Sequence, residues 1–348
     1  LKSALITGIT GQDGAYLAEY LLKNKYRVFG MYRRTSTPNF WRLSALGVLD
    51  KITLIPADLT DEGSIINAIN ESDPDEVYHL AAQSFVEASY DEPVATGDIT
   101  GLSVTRLLDA LRLLKPNVRF YQASSSEMYG NAISPIQNEK TGFHPASPYA
   151  AAKVYGYWIT RIYRDSFKMY TCNGILFNHE SPLRGLEFVT RKVTNAVAMI
   201  KTGVAKSVRL GNLNSARDWG YAPEYVKSMW LMLQQSKPDD YVIATGENHT
   251  VRDLVEIAFS VVGLNWEDHV IVDKRLFRPL DVLSLKGDPT KARKSLGWYP
   301  QTTFRDLVSL MVKADLKRWK DWLEGKFFPW DVPASLRMKK GKYHWRIY

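Results

Sequence analysis

The chain has 348 residues, of which 45% are hydrophobic and 24% charged, with a formal charge of +8 and one cysteine, Cys172. This length and balance exclude bulk disorder and predict one large domain with a smaller lobe. The lone cysteine excludes an intrachain disulfide and a thiolate metal centre. No apolar run nears 18 residues and no signal-peptide layout opens the sequence, so a cytoplasmic protein with no membrane partner and no metal is expected.

Residues 4–7 predict a strand running directly into Gly8-Ile9-Thr10-Gly11-Gln12-Asp13-Gly14, and 14–23 predict the helix that follows. Glycines let backbone approach a pyrophosphate, and a helix N-terminus offers it free N–H groups. Gly8, Thr10, Gly11, Gln12, Asp13 and Gly14 are therefore candidate dinucleotide contacts. The second strand, 27–32, is followed by Arg33, Arg34, Thr35 and Ser36 with no carboxylate. NAD sites usually place an acid there, whereas paired guanidiniums suit a 2′-phosphate, so the expected cofactor is NADP. A strand at 52–57 ends in Asp58 and Leu59, candidates for the adenine end. A strand at 77–81 leads into Leu80, Ala81, Ala82, Gln83 and Ser84, where small residues let the chain pass close to the cofactor.

Helices are predicted at 65–70 and 102–114, and a fifth strand at 119–123. Alternation at this spacing predicts an α/β fold, a Rossmann-type doubly wound parallel sheet with a smaller mixed α/β substrate-binding lobe. Ligands on such sheets bind beyond the carboxyl ends of the strands. The fifth strand ends in Ser124-Ser125-Ser126-Glu127. Ser125 offers a hydroxyl to a substrate oxygen. Glu127 is unnecessary for hydride transfer, but it is what an elimination beside a carbonyl needs. Ser147 and Pro148 then cap and open a helix on which Tyr149 and Lys153 share one face. A nearby ammonium and a nicotinamide cation are expected to lower the phenol's pKa and make it a base.

Further helices are predicted at 188–201, 223–234, 251–262 and 304–323. The expected division is a dinucleotide domain over 1–180, to which later segments can return, a mainly substrate-binding lobe over 181–325, and a tail over 326–348. From Pro333 onward the tail carries Arg337, Lys339, Lys340, Lys342 and Arg346 without acids. It reads as a solvated basic tail, with a role in oligomer contacts or anion binding as the alternative, and no nucleic-acid partner is expected.

Taken together, these motifs resemble the extended short-chain dehydrogenase/reductase family, and within it the branch of GDP-mannose 4,6-dehydratases. The likeness runs from about residue 4 to about 316. It includes the 174–185 segment around Asn178, His179 and Arg184, the 188–192 segment ending in Lys192, and Arg217-Asp218-Trp219-Gly220. It implies an NADP-dependent hydro-lyase that oxidises a GDP-sugar at C4, eliminates water across C5 and C6 and returns the hydride to C6. Tyr149, Lys153, Ser125 and Glu127 would be catalytic. His179 and Arg184 would lie at the cofactor, and Ser84, Asn178, Lys192, Arg217, Arg278 and Asp281 at the substrate. A homo-oligomer, dimer or tetramer, is also implied. Asp281 replaces the usual Glu, Leu283 a common Asp, and Ala95 a common Tyr. These changes leave the chemistry intact and open the substrate to another GDP-sugar, such as a GDP-manno-heptose. An epimerase or reductase on this fold would have no need of Glu127.

Overall fold

The computed structural model describes residues 1–37, 39–277, 280 and 282–330. Six parallel strands, β1 (Ser3–Thr7), β2 (Arg27–Tyr32), β3 (Thr53–Pro56), β4 (Glu76–His79), β5 (Arg119–Ser125) and β6 (Tyr170–Leu176), are joined by a seventh, Tyr241–Ile243. Their order is Tyr241–Ile243, β6, β5, β4, β1, β2, β3. All five residues of β1 are buried, as expected of a central strand covered on both faces. One face packs on the Gln12–Lys23 and Ala222–Leu233 helices through Leu17, Leu21, Tyr225 and Met229. The other packs on Glu62–Ser72 and Ser103–Leu114 through Ile65, Ile69, Leu107 and Leu111. The strand order reverses between β1 and β4, which opens a crevice at their carboxyl ends.

The first five strands lie where the sequence places them, to within a few residues at their ends. β6 and Tyr241–Ile243 were not anticipated. In β6 the apolar run is broken by Thr171 and Asn173, both fully buried. Their side chains bond to the Thr160 carbonyl and to Asp240, so a polar pattern hides a core strand.

A second core joins the Val189–Lys201, Val251–Val261 and Phe304–Leu323 helices through Val193, Val197, Leu254, Phe259, Val308 and Val312. Its footing is an ion pair. Arg191, fully buried, donates to both oxygens of Asp315 at 2.9 Å. Thr194 and Arg318 bond to the same carboxylate. Between 181 and 325 the Ala222–Leu233 helix, the Tyr241–Ile243 strand and the Thr290–Leu296 helix return to the sheet. Among the described residues no helix is long and apolar enough to cross a membrane, and no cluster of His, Cys, Asp or Glu could hold a metal. Arg278, Asp281 and residues 331–348 of the basic tail lie outside the described residues.

Candidate active site

Gly8 leaves β1 at φ +69°, and a Cβ there would sit 2.9 Å from the Ala81 main chain. A Cβ on Gly14 would overlap the Gly8 carbonyl. Both positions therefore require glycine, and the turn they permit delivers the Gln12–Lys23 helix end-on to the crevice. That helix starts at Gly11 without a side-chain cap, so its first N–H groups point at the position a pyrophosphate would take. The end of β4 is fixed beneath the loop. Thr7 Oγ1 accepts from the Leu80 and Ala81 amides at 3.1 Å and donates to His79 Nδ1 at 2.8 Å. Burial, with the Lys153 charge adding, pulls the His79 pKa down to about 3, so the ring is a neutral acceptor.

Gln12 and Asp13 face across the crevice. Gln12 donates to the His179 carbonyl at 3.1 Å and accepts from Ser181 Oγ at 2.7 Å. His179 Nδ1 lies 2.8 Å from the Phe177 carbonyl, and Nε2 lies 2.7 Å from Asp13 Oδ2. With Asp13 ionised, both ring nitrogens face oxygen acceptors and both carry protons, which makes the pair imidazolium and carboxylate. Burial opposes both charges, but their mutual attraction outweighs it: the pKa of His179 is raised and that of Asp13 lowered. The His179 ring also stacks on Tyr225 at 4.7 Å.

The catalytic candidates converge from β5 and the Pro148–Phe167 helix. Ser147 accepts from the Ala150 amide at 3.1 Å and caps that helix. Tyr149 and Lys153 are 8% and 4% exposed. Lys153 Nζ donates to the Ala123 carbonyl at 2.7 Å and lies 5.8 Å from the Tyr149 ring centroid. Burial depresses the Lys153 pKa to about 8. Burial likewise dominates at Tyr149 and pushes its pKa up to about 12, although a hydrogen bond with Ser125 pulls the other way. The anticipated lowering of the phenol by its neighbouring ammonium is therefore not supplied by the protein's own groups: Lys153 is held on the Ala123 carbonyl. At the end of β5, Ser125 Oγ accepts from the Glu127 amide at 3.2 Å. The Glu127 carboxylate faces Arg217 Nε at 3.7 Å.

One open cleft gathers most of these groups. Asp13, Leu80, Ala82, Ser84, Ser125, Glu127, Tyr149, Lys153, Asn178, His179, Arg184, Lys192 and Arg217 line it. Arg217 is anchored by the Val282 carbonyl at 2.7 Å. Arg184 pairs with buried Glu180 at 3.1 Å and lies 3.5 Å from the Phe188 ring centroid. Other candidates stand away from the lining. Arg33 and Arg34 are exposed beyond β2. The Asp58 carboxylate takes the Thr60 amide and hydroxyl at 2.9 and 2.8 Å. Its pKa is lowered, chiefly by that amide and to a small extent by Arg33. Leu59 is buried beneath it. Ala81 serves through its main chain under Gly8. Gln83 spends its side chain on the main chain of Phe85. Sequence reasoning missed the outer apolar wall, including Phe85, Val86, Leu276 and Phe277. It also missed Arg42, which donates to the Thr10 and Leu183 carbonyls. Short pairs and single residues scattered over distant segments leave no pattern to read.

Comparison with known proteins agrees with this geometry. Residues 5–311 match the family model described as GDP-mannose 4,6 dehydratase. GDP-mannose 4,6 dehydratase 1 of Arabidopsis thaliana is 50% identical over 91% of this chain and 90% of its own length. The enzyme of Yersinia enterocolitica is 44% identical over 97% of this chain and 100% of its own. A dTDP-glucose 4,6-dehydratase from Streptomyces venezuelae, solved with NAD and TYD bound, superposes with a TM-score of 0.81 at 22% identity. That match covers 93% of this chain and 99% of the other, and it shows the shared fold. A family match over most of the chain and a cleft that unites Tyr149, Lys153, Ser125 and Glu127 lead to one assignment: the chain belongs to the GDP-mannose 4,6-dehydratase family.

Proposed function

We propose that the chain is a hydro-lyase that converts GDP-D-mannose to GDP-4-dehydro-6-deoxy-D-mannose and water, with NADP as a resident cofactor that undergoes no net redox change. The observation that carries this reading is the Glu127 carboxylate opening onto the same cleft as Tyr149. The loop around Gly8 and Gly14, where a Cβ would intrude, fits a pyrophosphate. Arg33 and Arg34, beyond a β2 end without a carboxylate, fit a 2′-phosphate. Thr10, Gly11, Gln12 and Asp13 complete the cradle, with Leu80, Ala81, Ala82, Gln83 and Ser84 on its other side, Asp58 and Leu59 at the adenine end, and His179 and Arg184 toward the nicotinamide end.

Held by these residues, a nicotinamide would supply the hydride acceptor for sugar C4 and the hydride donor for C6. The protein's part is proton movement and orientation. Tyr149 removes the C4 hydroxyl proton, with Ser125 bonded to the same oxygen and Lys153 holding the phenol in place. The C4 ketone makes the C5 proton acidic, so Glu127 can take it and protonate the leaving C6 hydroxyl as water. Tyr149, carrying the proton it took from the C4 hydroxyl, then restores a proton at C5 and is ready for the next cycle. Asn178, Lys192 and Arg217 hold the sugar and diphosphate, a role shared with Arg278 and Asp281. A homo-oligomer in the cytoplasm completes the reading. Tyr155, Trp158 and Ile162, each more than 40% exposed at helical spacing on the Pro148–Phe167 helix, form the face it would bury.

The test is to incubate the protein with GDP-mannose and NADP and to follow the nucleotide sugar by mass. Loss of one water without accumulation of NADPH is expected. An isomerised sugar of unchanged mass would refute the lyase reading. Turnover of a GDP-manno-heptose alone would keep the chemistry and move the substrate.

A further inference from the structure

After the Phe304–Leu323 helix the chain doubles back in an aromatic strap. Phe328 meets Trp319 of that helix edge-on at 4.8 Å and stacks on Trp330 at 4.9 Å and 5°. Trp330 in turn meets Trp41 edge-on at 5.5 Å. Trp41 belongs to the opposite half of the molecule, on the short helix that follows β2. The Arg42 guanidinium lies 4.6 Å from the Trp41 ring centroid. Its Nη1 donates to the Thr10 carbonyl at 3.2 Å and its Nε to the Leu183 carbonyl at 2.7 Å.

Arg42 is a half-buried cation, and burial pulls its pKa down to about 10. Glu187 and Asp13 favour its charge, whereas Arg191 and Arg184 oppose it. A cation in such surroundings stays only where carbonyls and an indole face hold it. Thr10 lies between Gly8 and Gly11, so the grip on its carbonyl sets the turn from which the Gln12–Lys23 helix starts. We propose that Trp330 is a positioning residue for the dinucleotide: through Trp41 it holds Arg42 on the Thr10 carbonyl and so fixes the glycine loop. This rests on the reading of that loop as the cofactor cradle.

The test compares NADPH dissociation constants for the full chain, Trp330→Ala, Trp41→Ala, the double variant and Trp330→Phe. Each alanine variant is expected to weaken NADPH binding about three- to tenfold, the size expected of one aromatic contact. The double variant is expected to be no weaker than the weaker-binding single, because both act through Arg42. Trp330→Phe is expected to restore most of the affinity, and the KM for GDP-mannose to stay put. An unchanged NADPH constant with a lower melting temperature would overturn the proposal, because the strap would then only anchor the chain end. Fully additive losses would overturn it too. Gly8→Ala separates the underlying reading. If the wild-type chain binds no dinucleotide, or Gly8→Ala binds it equally well, the cradle assignment fails and takes this proposal with it.

Discussion

The wall of the cleft built on β1, β4 and β5 draws its groups from runs of consecutive residues and fixes them on main chain. Lys153 sits on the Ala123 carbonyl, Thr7 takes two amides, and Ser125 takes the amide of Glu127. The facing wall draws Asn178, Lys192 and Arg217 from three separate elements, two short strands and the Val189–Lys201 helix. Its cations meet other side chains as well as carbonyls, as Arg217 meets Glu127 and Arg184 meets Glu180. Groups fixed by main chain are placed before substrate arrives, which suits the atoms that move protons. Groups held by side chains can adjust, which suits binding. Damage to the first wall should therefore appear in turnover, and damage to the second in affinity or in the footing of the lobe.

The largest effect expected is on the first wall. Glu127→Gln and Tyr149→Phe should each lower turnover about 10²–10⁴-fold while NADPH affinity stays near wild type. Product formation measured by mass decides it, and a variant within tenfold of wild type would remove that residue from the chemistry. Next comes the footing of the second wall. Asp315→Asn leaves the Arg191 charge fully buried without its counter-ion, at about 3–5 kcal/mol of stability. Urea unfolding measures this, and a loss under about 1 kcal/mol would show that the lobe stands on its apolar core alone. Lys192→Gln should then raise the KM for the GDP-sugar about tenfold with little change in kcat, as expected of lost ground-state binding. An equal fall in kcat would blur the contrast between the walls.

The smallest effect concerns the latch between them. The His179 pKa is raised, so its contribution to stability is complete below the ordinary value of 6.5 and fades as pH climbs through the raised one. Asp13 is lowered, so its share persists above 3.8 and disappears only on further acidification. His179→Gln should therefore cost about 1 kcal/mol more at pH 6 than at pH 9.5. Melting curves at the two pH values test this, and a pH-independent cost would mean that the ring acts through its stacking on Tyr225.

Contiguity also decided how much could be read from residues alone. The run Gly8–Gly14 follows an apolar strand and precedes a periodic helix, so three signals agree at one place. Tyr149 and Lys153 sit four residues apart on a helix whose cap, Ser147, is written next to them. These residues announce both fold and chemistry. Nothing comparable marks the second wall: its residues gained roles only through the family resemblance. β6 was obscured because Thr171 and Asn173 are core residues satisfied by partners far along the chain. The environment of Tyr149 was legible only in part for a related reason. Spacing reveals that Lys153 is near, but not that the Ala123 carbonyl holds the ammonium while burial governs the phenol.

The return of the Ala222–Leu233 helix and the Tyr241–Ile243 strand to the sheet has a consequence for synthesis. On the ribosome, a nascent chain that has reached residue 180 already contains every group of the glycine loop and the Tyr149–Lys153 pair. It still lacks the strand that pairs with Gly174, Ile175 and Leu176 and the helix that covers Leu17 and Leu21. Until Ile243 clears the exit tunnel, β6 is an open edge beside bare apolar surface, the form most prone to wrong pairing. The catalytic half thus completes late, and a chaperone that covers the open β6 edge would guard the interval.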